Sequence, residues 1–427
     1  MTDCLFIEVN MKILGIIAEY NPFHNGHEYQ IKKAGEISGA DYIIAMMSGN
    51  YVQRGAPAIF DKSIRTKMAL NAGIDAVFEI PALFSGASAN DFAGYGISLL
   101  KILGADFISF GAENDNYKLL DTVAKVLTDK EQELAVKKHM EAGLNYAKAR
   151  HNAILEELKE SKEDINEIEN ILASPNNILA IEYLKSIRLN NVSIKPVIIS
   201  RSGSGYHENK IEENKFSSAT AIRRLVSESK PDIFNDSIKS AIPDENIDLF
   251  KNSKSIFDDD FLFTVQRSIL EKLGKGEDLS EYCDVTKELA NTIEKNIFEL
   301  ENKSYSDFIL RLKSKNFTYT RISRAIFHLL LNHKKKLLEY IKAEKNMAAY
   351  TMLLGFRKDA GDLLSELKKR SELPITSKIS NAKDILSPVS LKIFEDNIYA
   401  DFLYNSIYFE KYGEKLCNPY RRNVVMV

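Results

Sequence analysis

Along the first half of the chain, apolar residues come in short unbroken runs, each followed by a turn and then by helical spacing. The run in KILGIIAEY stops at Tyr20, a turn bearing Gly and His follows, and EYQIKK takes up a helical pattern, so Lys12–Lys33 reads as strand, turn, helix. ADYIIAMMSG (Asp41–Gly49), IDAVFEIP ending at Pro81 and ADFISFGAEN from Ala105 read as three further buried strands. Helical patterns separate them: SIRTKMALNAG, with a Gly stop at Gly73, and ANDFAGYGISLLKILG. Apolar strands alternating with helices predict a parallel, doubly wound α/β sheet of Rossmann type.

In such a sheet a ligand lies outside the carboxyl ends of the strands, where the strand order reverses. The loops to read for chemistry are therefore YNPFHNGH, SGNYVQRG, IPALFSGAS and FGAEND. The first carries His24 and His27 with Gly26 between them, at the point where a helix start offers its free N–H groups to an anion. Random placement of 7 His and 20 Gly in 427 residues gives roughly 0.005 matches to H-x-G-H. The plain alternative is a pair of histidines that cap a helix or satisfy a buried turn. Gly111, at the end of the fourth strand, is either an ordinary strand-end glycine or a place where backbone approaches a ligand closely.

From Asn116 to Leu172 the pattern is helical and highly charged, mostly a solvated face. ASPNNILAIEYLKSI then sets Pro175, Asn176 and Asn177 ahead of an apolar-periodic helix; one Asn serves as a cap and the other is available to a ligand. VSIKPVIIS is a fifth strand, and Arg201 leads the Gly- and Ser-rich loop after it. FSSATAIRRLVSE follows as a helix capped by Ser217 or Ser218, with Thr220 in its first turn and Arg223 one turn in. Hydroxyls, free N–H groups and an arginine at a helix start form a second phosphate-binding corner.

Beyond Lys230 the alternation stops, strand-like apolar runs are missing, and the chain reads as mainly helical. Two units are expected: residues 11–230 as the ligand-binding α/β domain and residues 231–427 as a helical region. Charge is polarised in the second. Pro231–Asn302 holds 8 Lys+Arg against 17 Asp+Glu, net −9, whereas Lys303–Lys378 holds 17 against 7, net +10. The basic segment also carries Phe317, Tyr319, Phe327, Tyr340, Tyr350 and Phe356, so cations and rings interleave as in RNA-binding surfaces. A charged helical surface with aromatic residues facing its core explains the same pattern.

Composition changes little in this picture. With 44% hydrophobic and 27% charged residues and a net charge of −3, the chain can bury a core and shows no global affinity for nucleic acid. Cys4, Cys283 and Cys417 are too scattered for a disulfide framework or a thiolate metal site, which points to the cytoplasm. There is no run of about eighteen apolar residues, so no transmembrane helix and no membrane association is expected. Residues 1–10 lack the layout of a secretion signal and read as an upstream extension ahead of Met11.

Two anion-binding corners facing each other across a sheet suit a nucleoside triphosphate. With no Walker motif and no Ser–His–Asp or Cys–His set, the expected chemistry is direct attack on the α-phosphate by a bound nucleophile. His24 and His27 would donate to the α- and β-phosphates, Arg201 and Arg223 would share the distal charge, and Mg²⁺ would bridge the phosphates. A phosphate neighbour favours the protonated imidazole near pH 7.

H-x-G-H after the first strand and S-A-T-A-I-R late in the domain resemble the paired signatures of the HxGH nucleotidyltransferase superfamily, HxGH and ISSTxIR. Ala219 departs from that pattern where a second serine would fall, while Ser218, Thr220 and Arg223 keep their places. EYNPFHNGH, MSGNYVQRG, RTKMAL, FGAEN, SPNN, GYHE, GFRKDAGDLL and LPITSKI together resemble the bacterial tRNA(Met) cytidine acetate ligases, from Met11 essentially to the C-terminus.

The resemblance implies an enzyme that activates acetate with ATP as acetyl-AMP and passes the acetyl group to the exocyclic amine of the wobble cytidine of elongator tRNA(Met). By the family's pattern ATP would contact Ile17, Ala18, Glu19, Tyr20, Asn21, Pro22, Phe23, His24, Asn25, Gly26, His27, Glu28, Tyr29 and Gln30, then Gly111, Asn176 and Arg201. The basic segment, with Lys334, Lys335 and Lys336, would face the tRNA; no stable protein partner and no protein-held metal is expected. The rival readings are a small-molecule nucleotidyltransferase of cofactor biosynthesis and a non-catalytic, nucleotide-sensing RNA-binding protein.

Overall fold

In a computed structural model, which describes residues 11–144, 146–159, 164–201, 218–228, 236–298, 303–344, 347–377 and 382–427, the expected strands form one sheet. They are β1 (Ile13–Ala18), β2 (Tyr42–Ser48), β5 (Ala76–Ile80), β6 (Phe107–Ala112) and β7 (Lys195–Ser200). Two short strands, β3 (Tyr51–Val52) and β4 (Ala56–Pro57), pair antiparallel in the loop after β2. The sheet runs β10-β8-β5-β2-β1-β6-β7, where β8 is Thr351–Phe356, β10 is Val425–Met426, and β9 (Ile375–Thr376) adds to β8. Every pairing in it is parallel except β5 with β8.

β1 is flanked by β2 on one side and β6 on the other, so the strand order reverses there. A ligand crevice therefore opens at the carboxyl ends of β1 and β6. All residues of β5 are buried, as are Ile13, Leu14 and Ile16 of β1 and Ile44 to Met47 of β2, because helices cover both faces. That burial explains unbroken apolar runs in place of alternation.

The helices that matter for the crevice are Asn25–Ser38, Lys62–Asn71, Ala89–Ile102, Pro175–Leu189 and Ala219–Glu228, close to their expected places. The charged stretch after Asn116 forms the helices Tyr117–Val126, Lys130–Glu141, Tyr146–Leu158 and Ile165–Ala173. The second half is mainly helical, but the expectation that it lacks strands fails: β8, β9 and β10 all belong to it and complete the edge of the sheet. TMLLGF of β8 is a buried apolar run whose partner β5 lies far away in sequence, so no local pattern announces the pairing. Residues 1–10, the GYHE segment and Ser217 lie outside the described residues.

Buried polar contacts lock the loops of the crevice to the second half. Arg65 is fully buried and donates to the carbonyls of Phe60 (2.9 Å), Glu19 (2.7 Å), Ser48 (3.1 Å) and Gly49, tying the loops after β1 and β2 together. Lys62, also buried, pairs with Glu79 of β5 and with Asp401 of the long helix Pro388–Tyr412 (Nζ to Oδ2 2.5 Å). Asn50 donates to the other oxygen of Asp401 at 3.0 Å. Removing one member of such a set would strand a buried charge, at a cost of about 3–5 kcal/mol. Gly55, at φ 71°, lets the loop after β2 lie directly on the backbone of Ser323 and Arg324, where any Cβ would collide.

The opposite charges of the second half meet one another. Lys334 reaches Glu281 (3.1 Å) and Glu277 (3.4 Å), Arg324 pairs with Asp284 at 2.7 Å, and Lys335 donates to the carbonyls of Ser280 (2.6 Å) and Val285 (2.8 Å). Lys334 and Lys335 thus hold the acidic segment in place. Among the interleaved rings, Phe317, Phe327 and Tyr350 are buried in the core, and Tyr340 stands out at 53% exposure.

Candidate active site

The turn after β1 builds the site. His24 is the N-cap of the helix Asn25–Ser38, and its Nδ1 accepts the Gly26 N–H at 3.0 Å. His27, three residues on, accepts the His24 N–H on its own Nδ1 at 3.3 Å, closing a capping box made of two imidazoles. The rings stack with centroids 3.8 Å apart, and Tyr20 meets His27 edge-on at 5.0 Å.

This arrangement fixes the tautomer. An Nδ1 that accepts a backbone N–H carries a lone pair, so the neutral ring bears its proton on Nε2. Burial, reinforced by the positive charges of Arg201 and Arg223, lowers the pKa of His24 to about 3. Burial, then His24 and Arg201, holds His27 well below the usual imidazole range. Burial thus favours neutral rings near pH 7, whereas a phosphate beside them, as expected from the sequence, would favour the imidazolium. Both histidines cap the turn and line a cavity at once, so the two readings of the H-x-G-H pattern are compatible.

That cavity, of about 240 Å³, lies over the carboxyl ends of β1 and β6. Of the stretch Ile17–Gln30 it takes Ile17, Ala18, Glu19, Tyr20, Asn21, His24, His27 and Gln30 into its wall. Gly111, Asn176, Arg201, Ser218, Thr220 and Arg223 complete the predicted set, and Ala219 stands beside Ser218. The other residues of the stretch do other work. Phe23 is buried, Asn25 donates to Ser240 O at 2.9 Å, the Gly26 N–H serves His24, Glu28 pairs with Lys32, and Tyr29 is 38% exposed. Pro22 is buried behind the turn.

The opposite wall is held from two sides. Arg223 donates to Asn21 O at 2.6 Å and to Thr220 Oγ1 at 3.0 Å, which binds the Ala219–Glu228 helix to the His turn. Ser218 caps that helix, its Oγ accepting the Ala221 N–H at 3.2 Å. Arg201 crosses Gly111 so closely that a Cβ there would lie 3.1 Å from Arg201 Cγ; the glycine makes room for the arginine. Neither Asn176 nor Asn177 caps its helix, since Ser174 holds that position. Asn177 Oδ1 accepts the Asn114 N–H at 3.0 Å, and Asn176 Nδ2 donates to Glu113 Oε1 at 2.5 Å.

Sequence reasoning passed over Gln53 and Arg54, although both sit in a loop it had marked, and over Phe92, Phe110, Leu179 and Tyr183. The last four look like ordinary core residues in sequence. The hydroxyls of Tyr20 and Tyr183 are buried without a hydrogen-bond partner among the described residues, and both residues line the cavity. Among the described residues no three His, Cys, Asp or Glu are placed to hold a metal ion, and no helix is long and apolar enough to cross a membrane.

A doubly wound sheet whose switch point carries an H-x-G-H capping turn opposite a Ser/Thr/Arg helix start defines a nucleotidyltransferase, and the HIGH Nucleotidyl Transferase family matches residues 11–416. The tRNA(Met) cytidine acetate ligase of Acetivibrio thermocellus is 34% identical over 98% of this chain and 100% of its own length, and that of Clostridium perfringens 38% identical over 91% and 95%. The crystal structure of Thermotoga maritima TmcAL superposes with a TM-score of 0.89 at 26% identity, covering 98% of this chain and 100% of that one. The same enzyme bound with alpha-thio ATP superposes at 0.87, again at 26% identity, over 97% and 99% of the two chains. The chain belongs to the HIGH nucleotidyl transferases and, within them, to the tRNA(Met) cytidine acetate ligases.

Proposed function

We propose that this chain is an ATP-dependent ligase that forms acetyl-AMP and pyrophosphate from acetate and ATP. It then transfers the acetyl group to the exocyclic amine of the wobble cytidine of elongator tRNA(Met), in the cytoplasm. The observation that carries the reading is the pair of imidazoles whose Nδ1 atoms are both taken by backbone N–H groups, which leaves two Nε2–H donors for a cavity shared with Arg201 and Arg223.

An acetate oxygen attacks the α-phosphorus, and pyrophosphate leaves in line. Negative charge builds on the α- and β-phosphate oxygens, where His24 and His27 donate as neutral groups while Arg201 and Arg223 supply the positive charge. Neutral donors need no proton from solvent before the phosphate arrives. The Ser218–Thr220 helix start receives the distal phosphates, and Gly111 and Asn176, with Leu179 behind them, flank the nucleoside end. The hydroxyls of Tyr20 and Tyr183 are available to the acetate or the phosphates. Mg²⁺ enters with the triphosphate, with Glu19 the carboxylate on the cavity wall.

In this reading residues 11–230 activate acetate and residues 231–427 bind the tRNA. Lys313, Lys315 and Lys336 are exposed and suit phosphates, in contrast to the engaged Lys334 and Lys335. The test is nucleoside mass spectrometry of tRNA incubated with the protein, ATP and acetate. Acetylated cytidine that requires both small molecules is expected; its absence would favour a small-molecule nucleotidyltransferase.

A further inference from the structure

A second cavity, of about 530 Å³, continues from the first. Glu19, Asn21, Arg54, Thr220 and Arg223 line both. From that shared wall the second cavity runs to Phe257, Asp258 and Ser306 of the second half. It thus joins the phosphate end of the nucleotide site to the region that follows the sheet domain.

Its far end carries three consecutive aspartates with different duties. Asp259 Oδ1 accepts the Tyr305 N–H at 2.7 Å, and Asp260 Oδ2 accepts the Phe257 N–H at 2.8 Å and Lys411 Nζ at 2.7 Å. Both are used by the fold. The Asp258 carboxylate accepts backbone N–H groups, that of Asp259 at 3.2 Å and its own, and has no side-chain partner among the described residues. It faces Arg223 electrostatically across the groove, and burial, followed by the charge of Asp259, raises its pKa above the usual carboxylate range.

The second half of the reaction needs an amine delivered to the acyl carbon of the adenylate, beside the α-phosphate and by a path that does not cross the nucleoside. The groove opens at the Thr220–Arg223 corner of the site, which is clear once pyrophosphate has left, and so gives the amine a way in. We propose that it is the acceptor site, taking a cytosine base with its exocyclic amine toward Asp258, which accepts an N–H hydrogen bond from that amine and then its proton. This rests on the ligase reading above. The amine nitrogen forms a bond to the acyl carbon, and the bond from that carbon to the phosphate oxygen breaks. AMP leaves with the electron pair, and the proton lost by nitrogen goes to the carboxylate and on to water. A carboxylate is the acceptor that matches a cytosine amine, and Phe257 sets an aromatic ring beside the base.

The test separates the two half-reactions in the full-length protein. Asp258→Asn removes the proton acceptor while keeping the shape. Acetate-dependent ATP–pyrophosphate exchange and tRNA binding are expected to match wild type, while formation of acetylated cytidine falls by about 10²–10⁴-fold. Asp258→Glu should recover part of that loss, since it restores a carboxylate but not its position. Wild-type acetylation by folded Asp258→Asn would overturn the assignment, as would an equal loss of exchange and acetylation, or an Asp258→Glu protein no better than Asp258→Asn. If the wild-type protein itself exchanges only with acetate yet never acetylates tRNA, the ligase reading fails first and the acceptor groove with it.

Discussion

The chain holds two close pairs of histidines, and they teach different lessons. His24 and His27 stack at the first turn; His328 and His333, at the end of the helix Tyr319–Leu330, sit with ring centroids 5.2 Å apart and Nδ1 atoms 2.9 Å apart. Burial lowers the pKa of His328 to about 3 and holds His333 well below the usual range, the same direction as in the first pair. A perturbed imidazole alone therefore does not mark the active site. What separates the pairs is where the remaining ring edge goes. In the first, backbone N–H groups occupy both Nδ1 atoms and the Nε2 edges are left to the cavity; in the second, the rings bond each other, neither lines the nucleotide cavity, and His333 Nε2 is buried without a partner among the described residues.

The sharpest way to break this contrast is to truncate each pair. Loss of one preorganised donor to a charge-developing centre costs about 10²–10³-fold in rate, so His24→Ala and His27→Ala should each lose that much acetyl-AMP formation. His328→Leu and His333→Leu should leave the rate of adenylate formation at the wild-type value. Stability reverses the ranking. Either single replacement in the core pair leaves a buried polar group without its partner and should cost about 1–3 kcal/mol in chemical denaturation. The double replacement should cost less than the sum of the two, because neither imidazole is then left facing a missing partner.

A separate effect is expected from pH. A histidine whose pKa is lowered on folding binds a proton in the unfolded chain before it does so in the folded one. Its contribution to stability is thus present above pH about 6.5 and is lost as pH falls toward the folded value. Below that point each such imidazole should steepen the fall by up to about 1.4 kcal/mol per pH unit, and the double Leu variant should show a shallower fall between pH 6.5 and 5. Smaller still is Gly111→Ala. Its Cβ would press on Arg201 Cγ, the flexible side chain would give way, and ATP affinity should weaken by about tenfold or less, a cost near 1 kcal/mol, with the fold intact.

Much of this was legible before any coordinates. β1, β2, β5, β6 and β7 are apolar runs bounded by turns, and their alternation with helices predicts the doubly wound sheet. The His turn, Arg201, Ser218 and Arg223 were legible because loops at strand ends carry polar residues that no core requires. β8 was not, because its partner strand is remote in sequence, and Phe92, Leu179 and Tyr183 were not, because a cavity wall inside a helix looks like core. The charge blocks also take their meaning from partners remote in sequence. Lys334 and Arg324 answer Glu281 and Asp284 across the fold, so a segment with net charge +10 is not a free basic surface of that size.

The central claim is that neutral Nε2–H groups of the first pair stabilise the charge that develops as acetate displaces pyrophosphate. ATP–pyrophosphate exchange with acetate present and absent, compared between wild type and His27→Ala, tests it most directly. Exchange that requires acetate in the wild type and falls by about 10²-fold or more in the variant, with tRNA affinity unchanged, is the predicted result. Exchange by His27→Ala at the wild-type rate, or exchange in the wild type that ignores acetate, would contradict it.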